Sequence, residues 1–204
     1  MKFIIGLGNP GIRYQKTRHN IGRSFAETLA DSEKLTLRRE KKISAMAAVM
    51  LWNGETVHLA YPEVFMNTSG DVIRKIKAHY PVNPELDLLI VLDDAALPFG
   101  GMRLRSRGSS GGHNGLKSIA AALGTDEFPR LRLGIGHPGN HSEASVDMEG
   151  SAGLLHDYVL DPFNSEEKKQ MAELFQRAEK ACRLWVEGPI ERAMNVVNQV
   201  KTAG

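Results

Sequence analysis

His19, Asp93 and the carboxamides Asn9, Asn67 and Asn114 are the side chains whose types and settings could make a reaction centre. An imidazole changes charge near neutral pH, so one that is held by an acid can take a proton from water. Asp93 closes the apolar run Leu86 to Leu92, and a carboxylate there can fix the tautomer of an imidazole and stabilise the imidazolium. Carboxamides donate and accept hydrogen bonds without carrying charge, which suits them to hold a carbonyl, a water or a developing oxyanion. Each asparagine singly also fits a turn or a helix cap, so the chemistry depends on all five residues meeting.

Other chemistries fit less well. Gly6-Leu-Gly-Asn-Pro-Gly11 matches the dinucleotide fingerprint G-x-G-x-x-G, but no amphipathic helix opens at those glycines. Cys182 falls on the apolar stripe of a helix, which suits a packed thiol rather than a nucleophile. His137 and His141 have Pro138-Gly139 between them, which argues against a helix aligning them as ligands. Neither a metal nor a cofactor is expected.

The elements that must position these residues can be read in order. Lys2 to Ile5 reads as a first strand, followed by a Gly/Pro loop and a helix from about His19 to Ala30. Arg38 to Lys42 is a basic connector. Ser44 to Trp52 and Glu55 to Tyr61 flank Asn53-Gly54 and form a hairpin. Val72, Ile73 and Ile76 mark a helix, Leu86 to Leu92 a strand covered on both faces, Met102 to Arg105 a short strand, and Leu116 to Leu123 another helix. Leu131 to Ile135 is a further strand. The polar, acidic stretch at about 139–155 is expected to be a mobile lid loop, with His156 to Leu160 extended after it. Asn164 and Glu167 make a capping box that opens a helix, and Gly188-Pro189 separates it from a last one. Strands alternating with helices imply a single three-layer α/β domain, a mixed sheet with helices on both faces. In such sheets ligands bind outside the C-terminal strand ends, which places Asn9, His19 and Asp93 on one rim.

Charge is distributed unevenly. Pro98 to Lys117 carries Arg103, Arg105, Arg107 and Lys117 with no acid, whereas Gly139 to Glu167 carries seven acids and no Lys or Arg. A solvated face and a groove for a polyanion both fit the basic block. One cysteine and no signal-like or membrane-length apolar run point to a cytoplasmic protein.

The motifs Gly6-Leu-Gly-Asn-Pro-Gly11 with Tyr14, Thr17-Arg-His-Asn20, Phe65-Met-Asn-Thr-Ser-Gly70, Asp93-Asp94 with Leu97-Pro98, Gly111-Gly-His-Asn-Gly-Leu116 and Arg130 to Gly139 together resemble the bacterial peptidyl-tRNA hydrolase family. The resemblance implies a monomeric, metal-independent esterase that cleaves peptide from the 3′ ribose of tRNA. By position it makes His19 the base that activates water, Asp93 its orienting acid, and Asn9 a group that positions water and carbonyl. Asn67 and Asn114 would hold the peptide and the 3′ end, with Tyr14, Met66 and His113 beside them in the substrate cleft. Arg103, Arg105 and Arg132 would grip the 5′ phosphate and acceptor stem, which suits the basic block. Ala95-Ala96 departs from the pattern, since many members carry a second acid shortly before the Leu-Pro pair. A non-catalytic RNA-binding protein on the same scaffold, as in the chloroplast splicing factor similar to this family, would share the arginines but would not need the base, acid and amides together.

Overall fold

The computed structural model describes residues 1–137 and 148–199, with the backbone alone for 148–152. Its centre is β1 (Lys2–Gly6), which has parallel strands on either side and is buried on both faces from Phe3 to Gly6 by the helices that cover the sheet. β1 pairs in parallel with β4 (Glu55–Pro62) and with β5 (Leu88–Asp94), and β5 pairs in parallel with β7 (Arg130–Gly134). Antiparallel strands finish both edges: β2 (Arg38–Glu40) and β3 (Ala45–Trp52) beyond β4, and β6 (Met102–Arg105) beyond β7.

Alternation along β1 divides the core in two. Phe3 and Ile5 pack towards Val72, Ile73 and Ile76 of α2 (Ser69–His79) and Ile119 of α4 (Asn114–Leu123). Ile4 faces the opposite layer, with Phe25 of α1 (Ile21–Ser32), Leu174 and Trp185 of α6 (Ser165–Glu187) and Val197 of α7 (Ile190–Gln199). The expected three-layer architecture with a mixed sheet is therefore observed. No helix among the described residues is long and apolar enough to cross a membrane.

Local chemistry sets several boundaries. Asn53 and Gly54 both have positive φ, 50° and 81°, as a type I′ turn requires, and they join β3 to β4. Asn164 and Glu167 exchange both bonds of the capping box at the start of α6. Asn83 caps the one-turn helix α3 (Pro84–Asp87), so β5 starts at Leu88, two residues later than the apolar run predicts, and carries Asp93 and Asp94 inside the strand. The connector expected at 38–42 contributes the short edge strand β2.

One expectation fails. Part of the lid loop placed at 139–155 lies outside the described residues, but 148–155 and the extended piece at 156–160 are both helical, in α5 (Met148–Leu160). Glycines, serine and acids at 147–153 mimic a loop, yet Tyr158 is buried and Leu155 and Val159 are half-buried. Docking of that face overrides the weak local helix propensity.

Candidate active site

Glycines bring the first helix unusually close to the sheet. A Cβ on Gly6 would collide with the Gly22 carbonyl oxygen, and one on Gly22 would collide with that of Val91. Without those carbons, Leu7 N–H reaches Val91 O at 2.8 Å and Arg23 N–H reaches Leu7 O at 2.8 Å. The 3-10 turn Arg18–Asn20 that leads into α1 is thereby set against the C-terminal end of β5.

There the two predicted partners, 74 residues apart in sequence, meet. His19 Nδ1 lies 2.9 and 3.0 Å from the two carboxylate oxygens of Asp93. Asp93 is 4% exposed. Burial alone would push its pKa up, but the two imidazoles facing it, His19 and His113, outweigh that and hold the carboxyl well below the usual carboxylate range. Burial pulls the His19 pKa down, while the charge of Asp93 and its hydrogen bond pull it up, and the net direction is upward. A carboxylate accepts only, so Nδ1 carries the hydrogen in neutral His19 and Nε2 keeps its lone pair for the cleft.

His113 reaches the same carboxylate. Its Nε2 is 3.1 Å from Asp93 Oδ1, while its Nδ1 accepts from the amides of Gly115 at 3.1 Å and Leu116 at 3.3 Å, capping α4. The backbone bonds fix the tautomer: Nδ1 bears the lone pair and Nε2–H donates to Asp93. The resemblance places His113 in the substrate cleft, and the structure adds three bonds to it that sequence spacing cannot show. His19, Asp93 and His113 are also the one group among the described residues with donor atoms close enough for a metal, within 4.8 Å of one another. Their hydrogen bonding does not fit one. The His113 nitrogen in that group is protonated, and freeing it as a ligand would abandon the α4 cap.

Asn9 is held from three directions. Its N–H donates to Asn20 Oδ1 at 2.8 Å, its carbonyl accepts from Asn20 Nδ2 at 3.0 Å, and its own Oδ1 accepts from Met66 N–H at 2.8 Å. Its Nδ2 remains as a donor in the cleft. Asn20, fully buried, was legible in the sequence only as a polar neighbour of His19. Asn67 and Asn114 line the same cleft, both exposed, and their side chains make no hydrogen bond to other described residues. Tyr14 and Met66 complete this side, with Tyr14 edge-on to Phe65 at 6.3 Å between ring centres. Leu155 and Val159 of α5 form the opposite wall of a cleft of about 640 Å³.

The arginines fall into two kinds. In the β6–β7 register Arg103 lies beside Arg132, and Arg105 beside Arg130, so all four leave one face of the ladder. Arg103 and Arg105 are exposed and make no ion pair with the described residues. Arg132, at the cleft margin, donates to Asp94 Oδ2 at 3.3 Å and to Ser109 O at 2.8 Å. The other carboxylate oxygen of Asp94 accepts from Ala96 N–H at 2.9 Å, so the Ala95-Ala96 turn is held by Asp94 and leaves Asp93 to the two histidines. Arg130, buried, binds the carbonyls of Phe128, Asp126 and Gly108, and burial with the charge of Arg132 nearby brings its pKa down to about 10.

Comparisons with known proteins show the family. The peptidyl-tRNA hydrolase family model matches residues 3–203. A peptidyl-tRNA hydrolase of Chloroflexus aggregans is 42% identical over 198 residues, 97% of this chain and 99% of the relative. That of Desulfitobacterium hafniense is 42% identical over 199 residues, 98% of this chain and all of the relative. The crystal structure of peptidyl-tRNA hydrolase from Acinetobacter baumannii superposes with a TM-score of 0.84 at 36% identity, covering 98% of this chain and 96% of that one. Agreement that covers 97% or more of this chain and 96% or more of each partner, in sequence and in fold, shows that the chain belongs to the peptidyl-tRNA hydrolase family.

Proposed function

We propose that this enzyme, a hydrolase of peptidyl-tRNA by family, uses His19 as a general base on water and Asp93 as the acid that orients it. The observation carrying this reading is the 2.9 Å contact between His19 Nδ1 and Asp93 inside the cleft, which leaves Nε2 as the basic nitrogen. Water loses a proton to Nε2 while its oxygen adds to the ester carbonyl carbon. The tetrahedral oxyanion takes a hydrogen bond from Asn9 Nδ2, which the Met66 amide holds in the donor orientation. The bond from carbonyl carbon to the ribose 3′ oxygen then breaks, and imidazolium Nε2–H protonates that oxygen as tRNA leaves. Asp93 stabilises the imidazolium in between.

Asn67 and Asn114 hold the peptide backbone and the 3′ end, and Tyr14 and Met66 supply apolar contact. Arg103 and Arg105 bind acceptor-stem phosphates, and Arg132 does so from the cleft margin while remaining tied to Asp94. The protein acts as a monomer in the cytoplasm, where its substrate arises. The test is cleavage of purified peptidyl-tRNA by His19→Ala. A general base contributes about 10² to 10⁴-fold, so the variant loses that factor in kcat and still binds tRNA. Cleavage at the parent rate would remove His19 from the mechanism.

A further inference from the structure

The residue before His19 makes a set of contacts that the hydrolytic step does not require. Arg18 is 6% exposed, and its Nη2 lies 3.1 and 2.8 Å from the two carboxylate oxygens of Glu167. Its Nη1 donates to the carbonyls of Pro162 at 3.1 Å and Asp161 at 3.4 Å, and its backbone N–H donates to Asp161 O at 3.1 Å. The guanidinium stands 4.2 Å from the centre of the Tyr158 ring. Thr17 forms an isolated antiparallel bridge with Pro162.

Each contact belongs to a part of the cleft's surroundings. Tyr158 lies on α5, one turn from the cleft-lining Leu155 and beside Val159, and its hydroxyl donates to Ile135 O at 2.7 Å, just past the end of β7. Glu167 is also the capping-box residue of α6, where Oε2 accepts from Asn164 N–H at 2.7 Å. The pair is closed through Nη2 alone, which faces both carboxylate oxygens, and in a buried Arg–carboxylate pair losing one partner leaves the other's charge unpaired. Breaking such a buried pair costs more than breaking one of the turn's own hydrogen bonds.

From this arrangement we infer that Arg18, through Glu167, is a positioning residue for His19: it locks the Arg18–Asn20 turn to the α5–α6 junction and so keeps the imidazole in register with Asp93 and with the α5 wall. The inference rests on His19 being the base. When the lock loosens, His19 drifts from the carboxylate that raises its pKa while remaining under the burial that lowers it. Misplacing a reacting group by about 1 Å can cost about 10²-fold in rate.

The test compares Arg18→Lys and Glu167→Gln, which keep bulk and polarity but not the guanidinium–carboxylate pair, with Asn164→Ala. The last removes the other half of the capping box and leaves Arg18 paired. Three readouts are taken for each: kcat and KM for peptidyl-tRNA, the pH profile of kcat/KM, and the His19 titration followed by NMR. Arg18→Lys is expected to lower kcat about 10 to 100-fold with KM within about twofold, and to move both the acid limb and the His19 titration to lower pH. Glu167→Gln moves them the same way by less, and Asn164→Ala loses thermal stability while kcat and the titration match the parent. If Arg18→Lys and Glu167→Gln lose only stability, with kcat and the His19 titration unchanged, the pair is merely structural and the inference is overturned. His19→Ala assayed alongside separates that outcome from failure of the general-base reading, because the NMR titrations of the Arg18 and Glu167 variants do not depend on turnover.

Discussion

Replacing Asp93 by Asn changes one charge and almost no volume, which makes it the sharpest perturbation of the proposed site. Neutral His19 loses little in the ground state, since an amide oxygen can still accept from Nδ1–H, though the amide nitrogen would then stand where an oxygen now lies 3.0 Å from that nitrogen. The loss falls on the transition state, in which the imidazole has become a cation. Opposite charges at about 4 Å attract by roughly 4 kcal/mol at an effective dielectric of about 20. At about 1.36 kcal/mol per decade that is about 10³-fold in rate, and loss of the orienting carboxylate in a Ser-His-Asp triad costs about 10⁴. Asp93→Asn should therefore lower kcat by about 10² to 10⁴-fold at unchanged KM. The pH profile adds a sign. In the parent, burial lowers the His19 pKa and Asp93 more than restores it. With the carboxylate gone only burial remains, so the acid limb of kcat/KM should move to lower pH although the enzyme is slower at every pH. A kcat within threefold of the parent, or a limb displaced to higher pH, would refute the reasoning.

Three further outcomes follow from the same geometry. His113→Asn keeps an N-capping side chain on α4 but gives up the bond to Asp93, so the acid limb should move to higher pH, His19 being the carboxylate's one remaining imidazole donor; His113→Ala, which also loses the cap, should be less stable than His113→Asn by about 0.5 to 2 kcal/mol in denaturant titration. Arg103→Ala and Arg105→Ala should each weaken tRNA binding and flatten its dependence on salt, by about one unit of log–log slope for each phosphate no longer neutralised, read from binding isotherms at several salt concentrations. His19 has a folded pKa above its unfolded value, so its contribution to stability is complete below about pH 6.5 and is lost as pH rises through the folded pKa. The Tm difference between parent and His19→Gln should accordingly shrink as pH rises from about 6.5 through the folded pKa.

Legibility followed the range of the interactions. The Asn53-Gly54 hairpin, the Asn164/Glu167 capping box and the apolar run leading into Asp93 are decided by neighbours in sequence, and each was readable. The meeting of His19 and Asp93 followed from one long-range rule, that strands of an open α/β sheet end on a common rim. Helix α5 was not readable, because Gly150, Ser151 and Gly153 favour a loop and the helix is held by burial of Tyr158 against distant elements. The second bond to Asp93 was hidden for a related reason. Histidine is not among the usual N-capping residues, so nothing marked His113 as the cap whose tautomer points a hydrogen at the carboxylate. Arg18 and Glu167 lie 149 residues apart, and a charged side chain reads as surface until its partner is found. Arg130 and Arg132 lie two apart on one strand face, and only the carbonyls around Arg130 separate a buried strut from a side chain at the cleft.

The imidazole of His19 is, on this mechanism, the group whose loss of a proton switches the enzyme on. Titrating His19 in the free protein by NMR and measuring the pH dependence of kcat/KM for peptidyl-tRNA in the same buffer tests that most directly, since kcat/KM reports ionisations of the free enzyme. One inflection should describe both curves, at a pKa above the ordinary histidine value, with activity rising as His19 becomes neutral. An acid limb that His19 does not share, or that persists unchanged in His19→Ala, would contradict it.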